Sequence, residues 1–262
     1  MKAFPRAILA FALAASSLPA QNEAPAEPPA KEETKELAPN QKAFLNLPEE
    51  QRKEFIKHIQ EATRLFQQKR IFEVLDELDK AEAIFKDSPE IYNLRGSCHV
   101  EFRAFDKALI DFERANKIAP NNASVEFNIA EVYFVSKDYQ KAHEAFTALL
   151  AKVPESNIGL SRLVEFKLLL CKQKLGMEDE AAKMAEKYDF MDDSPYYYYS
   201  QAAMNYASGN LVKAEEWLAR AGRVFRNQAI LAPWQDTLVE FGYVKSFYGD
   251  DSDTNAAGGA GE

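Results

Sequence analysis

Residues 87–120, DSPEIYNLRGSCHVEFRAFDKALIDFERANKIAP, run directly into residues 121–154, NNASVEFNIAEVYFVSKDYQKAHEAFTALLAKVP. Laid one over the other, Gly96, Phe105, Ala108, Phe112, Ala115 and Pro120 fall on Ala130, Tyr139, Ala142, Phe146, Leu149 and Pro154, all at an offset of 34 residues. A fixed period in this range marks a chain that stacks one supersecondary unit on the next. Inside each copy Ala108, Phe112, Ala115 and Ala142, Phe146, Leu149 recur at i, i+4, i+7, the spacing of one helical face. No alternating strand pattern of useful length accompanies them, so the class is all-α.

The pattern extends outward. Ala202, Leu211, Ala214, Leu218 and Ala221 repeat the second copy at a distance of 72 residues, which is two periods with a small insertion between. The intervening copy shows as Gly176 to Ala181, then Ala185 and Tyr188, closing near Pro195, with a first helix, Asn157 to Lys174, longer than its counterpart. A degenerate first copy covers Phe55 to Pro89 and keeps the closing proline but not the small residues.

The offset of 34 and this residue pattern resemble the tetratricopeptide repeat, a helix-turn-helix unit. The resemblance rests on a small residue within the first helix (Gly96, Ala130, Ala202), an aromatic or Leu opening the second (Phe105, Tyr139, Leu211), an Ala three later, a ring or Leu four beyond that, and the closing proline. Its physical sense is packing, since Gly or Ala lets two helix backbones approach and the large side chain of the next helix fills the space beside them. The resemblance implies a right-handed superhelical array of about five helical hairpins plus a C-terminal capping helix. It also implies a binding role on a concave surface lined by the first helix of each hairpin.

The flanks carry their own signals. Pro48-Glu49-Glu50 is a good helix start, with acids against the N-terminal dipole. Pro233-Trp234-Gln235-Asp236 starts another helix, with Leu238, Phe241 and Val244 on a face that closes the last repeat. Residues 1–20 read as a secretory signal: Lys2 and Arg6, an apolar run from Ala7 to Ala15, and a small-residue exit at Ser16 to Ala20. That run is about half the roughly 20 residues a membrane span needs. Removing the signal takes away two cations and no acid, moving the net charge from −9 to −11. Residues 21–45 are a Pro- and Glu-rich tether, 46–248 the helical-repeat domain, and 249–262 an acidic tail too polar to repay ordering.

Composition narrows the function. With 32 Lys+Arg against 41 Asp+Glu, the chain is a poor ligand for nucleic-acid phosphates. Two cysteines, Cys98 and Cys171, make neither a disulfide scaffold nor a Cys-rich zinc module, and they fall two repeats apart, too far to bridge. They are expected as buried thiols. His143-Glu144 begins a metalloprotease spacing, but the second ligand position is Thr147. His58, His99 and His143 are scattered over different repeats. Asp251, Asp253, Asn255 and Glu262 have the spacing of a calcium loop, yet Ala256 stands at the turn glycine and no helix follows. Neither a phosphate cradle nor a nucleophile elbow occurs. No catalytic residue, metal site or cofactor is expected.

The register implied by the resemblance turns Glu90, Asn93, Ser97 and Val100, then Ser124, Phe127, Glu131 and Phe134, then Tyr196, Tyr199, Ala203 and Tyr206 toward the groove. No Lys or Arg lies on these three faces, so a carboxylate-clamping site is disfavoured. The candidate binding residues are Asn93, Phe127, Glu131, Phe134, Tyr196, Tyr199 and Tyr206, whose rings offer large, low-entropy contact area. Against this stands a packing role for the same rings. The run Tyr196 to Tyr199 points all round a helix, so some of it must be internal. The expected function is a non-enzymatic scaffold, periplasmic or secreted, that holds another protein or an extended peptide. Alternatives are a subunit of an outer-membrane, pilus or secretion assembly, or an envelope glycan or peptidoglycan module.

Overall fold

The computed structural model describes residues 37–154 and 156–247. The secretory segment, the first part of the tether and the calcium-loop spacing of the tail lie outside them. Twelve helices and no strand occur among the described residues, which fall into two compact units divided in the sequence between Asn128 and Ile129.

The first unit holds α1 (Pro39–Leu45), α2 (Glu49–Gln67), α3 (Ile71–Ile84), α4 (Pro89–Glu101), α5 (Phe105–Ile118) and the start of α6 (Ala123–Val135). Helices α2/α3 and α4/α5 are the first two hairpins. The helix starting after Pro48 is thus the opening helix of the first repeat rather than an element preceding the array. Helix α1 occupies the end of the stretch read as tether, and Phe44 places its ring 5.2 Å from Phe55 and 5.4 Å from Phe85.

The structure corrects the reading of the first copy. At the same 34-residue offset Ala62, Ile71, Val74, Leu78 and Ala81 stand where Gly96, Phe105, Ala108, Phe112 and Ala115 do. Ala62, Val74, Leu78 and Ala81 are fully buried. Small residues are therefore kept at Ala62 and Ala81, Val74 takes the place of Ala108, and aliphatic side chains replace the rings that make the pattern visible. In the second copy the fit is tight, since a Cβ on Gly96 would stand 2.7 Å from the Phe112 ring.

The second unit holds the rest of α6, then α7 (Tyr139–Leu150), α8 (Ile158–Lys174), α9 (Glu178–Ala185), α10 (Tyr196–Ala207), α11 (Leu211–Val224) and α12 (Gln228–Phe241). Helices α6/α7, α8/α9 and α10/α11 are the remaining hairpins. The extra residues of the fourth copy lie ahead of its turn. Its crossing position is Leu169 and the facing position Ala185, both buried, so large and small have changed places relative to Ala130 and Phe146. After α9, Arg162 binds Asp192 at 3.0 Å and covers the Tyr188 ring at 3.6 Å. Lys187 and Tyr188 meet the buried Glu165 at 2.5 and 3.1 Å, which ties the loop after α9 to α8.

One turn geometry recurs in all five hairpins. Lys69, Arg103, Lys137, Gly176 and Gly209 have φ of 60°, 56°, 69°, 72° and 78°. The next amide along donates back to the carbonyl five residues earlier, as in Arg70 to Leu65, Ala104 to His99 and Asp138 to Tyr133. This is the left-handed helix stop that glycine adopts most easily.

Cys98 and Cys171 are buried free thiols, each pushed up to about 12 by burial. His58 pairs with Glu77 at 2.6 Å, and His99 stands 3.4 Å from Asp111.

Candidate functional site

Helix α12 carries Leu231, Trp234, Leu238 and Phe241 at i, i+3, i+7 and i+10, one helical stripe. All four are buried. The helix begins at Gln228, five residues before the start expected from Pro233. The Asn227 side chain caps it by accepting from the Ala229 amide at 3.0 Å, while Pro233 lies inside the second turn. Gly242, at φ 93°, ends it and turns Tyr243 back along the same face.

This stripe does not simply close the last hairpin. It lies over the first helices of the three hairpins of the second unit. The Trp234 ring is 5.3 Å from Phe166 of α8, 5.6 Å from Tyr199 and 6.4 Å from Tyr196 of α10. Phe241 stacks on Phe134 of α6 at 5.9 Å. Tyr243 stacks on Tyr206 at 5.1 Å, and its hydroxyl donates to Gln173 Oε1 at 2.9 Å.

A charged group sits within these rings. Lys167 Nζ meets Glu131 Oε1 at 2.8 Å, with the two residues only 2% and 5% exposed. The ammonium also lies 4.6 Å from the Phe134 ring centroid. The second Glu131 oxygen is buried and has no hydrogen-bond partner, and the Glu240 carboxyl of α12 is a neighbour of Glu131. Burial, and the Glu131 carboxylate to which it is hydrogen-bonded, hold the Glu240 carboxyl well above the usual carboxylate range. Lys167 opposes that shift and Asp236 adds to it.

The candidate residues divide between the units. In the first, Asn93 is part-exposed and its Oδ1 accepts from Asn128 Nδ2 at 2.9 Å, while Phe127 is buried. In the second, Glu131, Phe134, Tyr196, Tyr199 and Tyr206 come together, but as the buried floor beneath α12 and Tyr243. The aromatic surface that a glycan would need is the surface α12 covers. Burial raises the Tyr196 and Tyr206 hydroxyls above the ordinary tyrosine value, and Glu215 adds to the shift of Tyr206. Sequence reasoning missed Phe166 and Lys167, because the inserted fourth copy had no safe register. It also missed Trp234, Glu240 and Tyr243, whose stripe was assigned to the end of the array. Among the described residues no group of three His, Cys, Asp or Glu side chains could hold a metal ion, and no helix is long and apolar enough to cross a membrane.

The sequence matches no protein-family model and no curated protein. Solved structures resemble the fold. PilF of Pseudomonas aeruginosa aligns with a TM-score of 0.53 at 16% identity, over 73% of this chain and 93% of that one. The MamA RS-1 ArsTM double mutant aligns with a TM-score of 0.52 at 18% identity, over 67% and 96%. YrrB, described as a TPR protein with an unusual peptide-binding site, aligns with a TM-score of 0.48 at 20% identity, over 74% and 96%. The chain has the tetratricopeptide-repeat fold. Within that fold, Asn93 belongs to the first helix of the second repeat, and Glu131, Phe134, Tyr196, Tyr199 and Tyr206 to the first helices of the third and fifth. With Phe127, also on α6, the tetratricopeptide register puts all seven candidate positions on the first helices of hairpins.

Proposed function

We propose that this chain is an exported, non-catalytic protein-interaction module of the cell envelope, periplasmic or secreted, that receives a helical segment of a protein partner on the first helices of its hairpins. The observation that carries the reading is α12. Its amphipathic stripe buries Leu231, Trp234, Leu238 and Phe241 and seats the two rings on α6, α8 and α10, the mode in which a groove takes the apolar face of a helix. The first unit offers an equivalent face on α2 and α4, where Ile56 is 45% exposed and Asn93 part-exposed. The segment at residues 1–20 supports export.

Photo-crosslinking from residues 56 and 93 in intact cells, followed by fractionation and mass spectrometry, tests this. A discrete envelope protein crosslinked by the native chain and lost on Ile56→Glu with Asn93→Ala is the expected result. A cytoplasmic chain with an uncleaved N-terminus, or crosslinking that the double variant leaves unchanged, overturns it.

A further inference from the structure

We infer that the face formed by α6, α8 and α10 is a helix-specific binding site that α12 occupies in cis, and that its ligand in trans is a partner's amphipathic helix. That helix bears large apolar side chains at the spacing of Leu231, Trp234, Leu238 and Phe241, and a carboxyl group at the place of Glu240. The inference rests on the reading of the chain as a protein-interaction module.

Three observations carry it. First, the covering helix is less well suited to permanent packing than its floor. Pro233 removes a backbone donor from its interior, and its contact holds Glu131, Lys167 and Glu240, where apolar side chains of similar volume would pack without desolvating charge. Helices held in this way open before the elements beneath them. Second, the floor is anchored independently of α12. The Tyr196 hydroxyl donates to the Met184 carbonyl at 2.8 Å and that of Tyr206 to Glu215, so both rings keep their orientation when the helix leaves. Third, only Phe225, Arg226 and Asn227 lie between α11 and α12, a short connection at which the helix can swing as a body.

The charged group makes the site selective. Glu131 and Lys167 form a fixed pair whose remaining acceptor, Glu131 Oε2, is buried without a partner, and a protonated carboxyl at position 240 would give it a donor. A lysine there would face Lys167, and an aliphatic residue would leave the acceptor buried and unmet. Because α12 is tethered, its effective concentration is on the order of millimolar, and a free helix competes only where the cis contact is weakened.

The test uses the full chain and a fluorescent peptide spanning residues 226–245. Hydrogen exchange on the unaltered chain is expected to show α12 amides opening well before those of α8. The Trp234→Ala chain is expected to bind the peptide at least about tenfold more tightly than the unaltered chain, and a peptide carrying Trp234→Ala or Glu240→Lys to lose binding. Should Trp234→Ala unfold the chain, Glu240→Lys in the chain weakens the same contact without opening a cavity. Exchange of α12 and α8 in one global event, or folded variants that refuse the peptide, overturns the inference. A chain that refuses the peptide yet still crosslinks its envelope partner through the first unit overturns this inference alone. Loss of both overturns the interaction reading beneath it.

Discussion

The indole of Trp234 lies 5.6 Å from the ring of Tyr199, tilted against it by 47°. That contact places the tyrosine-rich helix α10 inside the protein, and it decides which way a truncation there will act. On an open groove lining, Tyr199→Ala with Tyr206→Ala would spare stability and abolish capture. With Tyr199 1% and Tyr206 7% exposed, each truncation instead removes a buried ring. Tyr199→Ala is expected to cost about 3–5 kcal/mol, as for other buried aromatic deletions. Urea unfolding followed by circular dichroism measures it, and a loss below about 1 kcal/mol would return Tyr199 to the surface.

The Glu240 carboxyl, held above its ordinary range by burial and by the neighbouring Glu131, makes the second unit sensitive to pH. Glu240 holds its proton to higher pH in the folded chain than in the unfolded one. Between the two values the folded state binds more protons, so stability falls as pH rises. The contribution is fully present below the ordinary carboxylate range and is lost as pH climbs through the raised folded-state value. Glu240→Gln keeps a donor for Glu131 and cannot ionise, so it is expected to flatten this slope and to be relatively more stable at alkaline pH. Urea midpoints at a series of pH values for both chains decide it, with parallel curves counting against a raised Glu240.

Much of the fold was legible because the second, third and fifth copies use the same size logic: Gly96 or an alanine on one helix, a ring or Leu on the next. The first copy escaped because Ala62 faces a repeat whose rings have become Ile71 and Leu78. The fourth escaped because it inverts the logic, with Leu169 on the first helix and Ala185 on the second, which preserves volume while erasing the pattern. The candidate site was legible as a set of positions but not as an environment. Periodicity located Tyr196, Tyr199 and Tyr206 on one face, and it located Leu238 and Phe241 on another. Nothing in a one-dimensional pattern states that two apolar faces so far apart in the chain cover each other. The exposed or buried state of a ring is a property of that pairing.

The five hairpin turns supply a stability prediction independent of the site. Lys69, Arg103 and Lys137 hold the left-handed geometry that Gly176 and Gly209 adopt in the later repeats. A side chain in that region costs about 1–2 kcal/mol, partly offset by the greater unfolded-state entropy of glycine. Lys69→Gly, Arg103→Gly and Lys137→Gly are each expected to stabilise the chain, by up to about 0.5–1 kcal/mol, before the loss of any contact the side chain makes. Lys69→Gly also removes an ion pair with Glu101 at 2.7 Å and Arg103→Gly the cation held 5.0 Å from the Phe105 ring, so the gain at Lys137 should be the largest of the three. Thermal melts of the single and triple variants check both the sign and the order.

The tightest packing constraint lies at Gly96, where an added methyl group would stand 2.7 Å from the Phe112 ring. Gly96→Ala forces that ring out of place and is expected to cost about 1–3 kcal/mol. Phe112→Leu alone leaves a void where the ring was and is destabilising too, by roughly 1 kcal/mol or more. The two changes should not add. Together they recreate the pair that the first repeat already uses, Ala62 with Leu78, both fully buried. The double variant is therefore expected to be more stable than the sum of the singles predicts by at least about 1 kcal/mol, the coupling typical of residues in direct contact. A double-mutant cycle in urea measures that difference. A coupling near zero would mean that the crossing of α4 and α5 is set by the backbone around Gly96, with the volume shared between the two side chains playing no part.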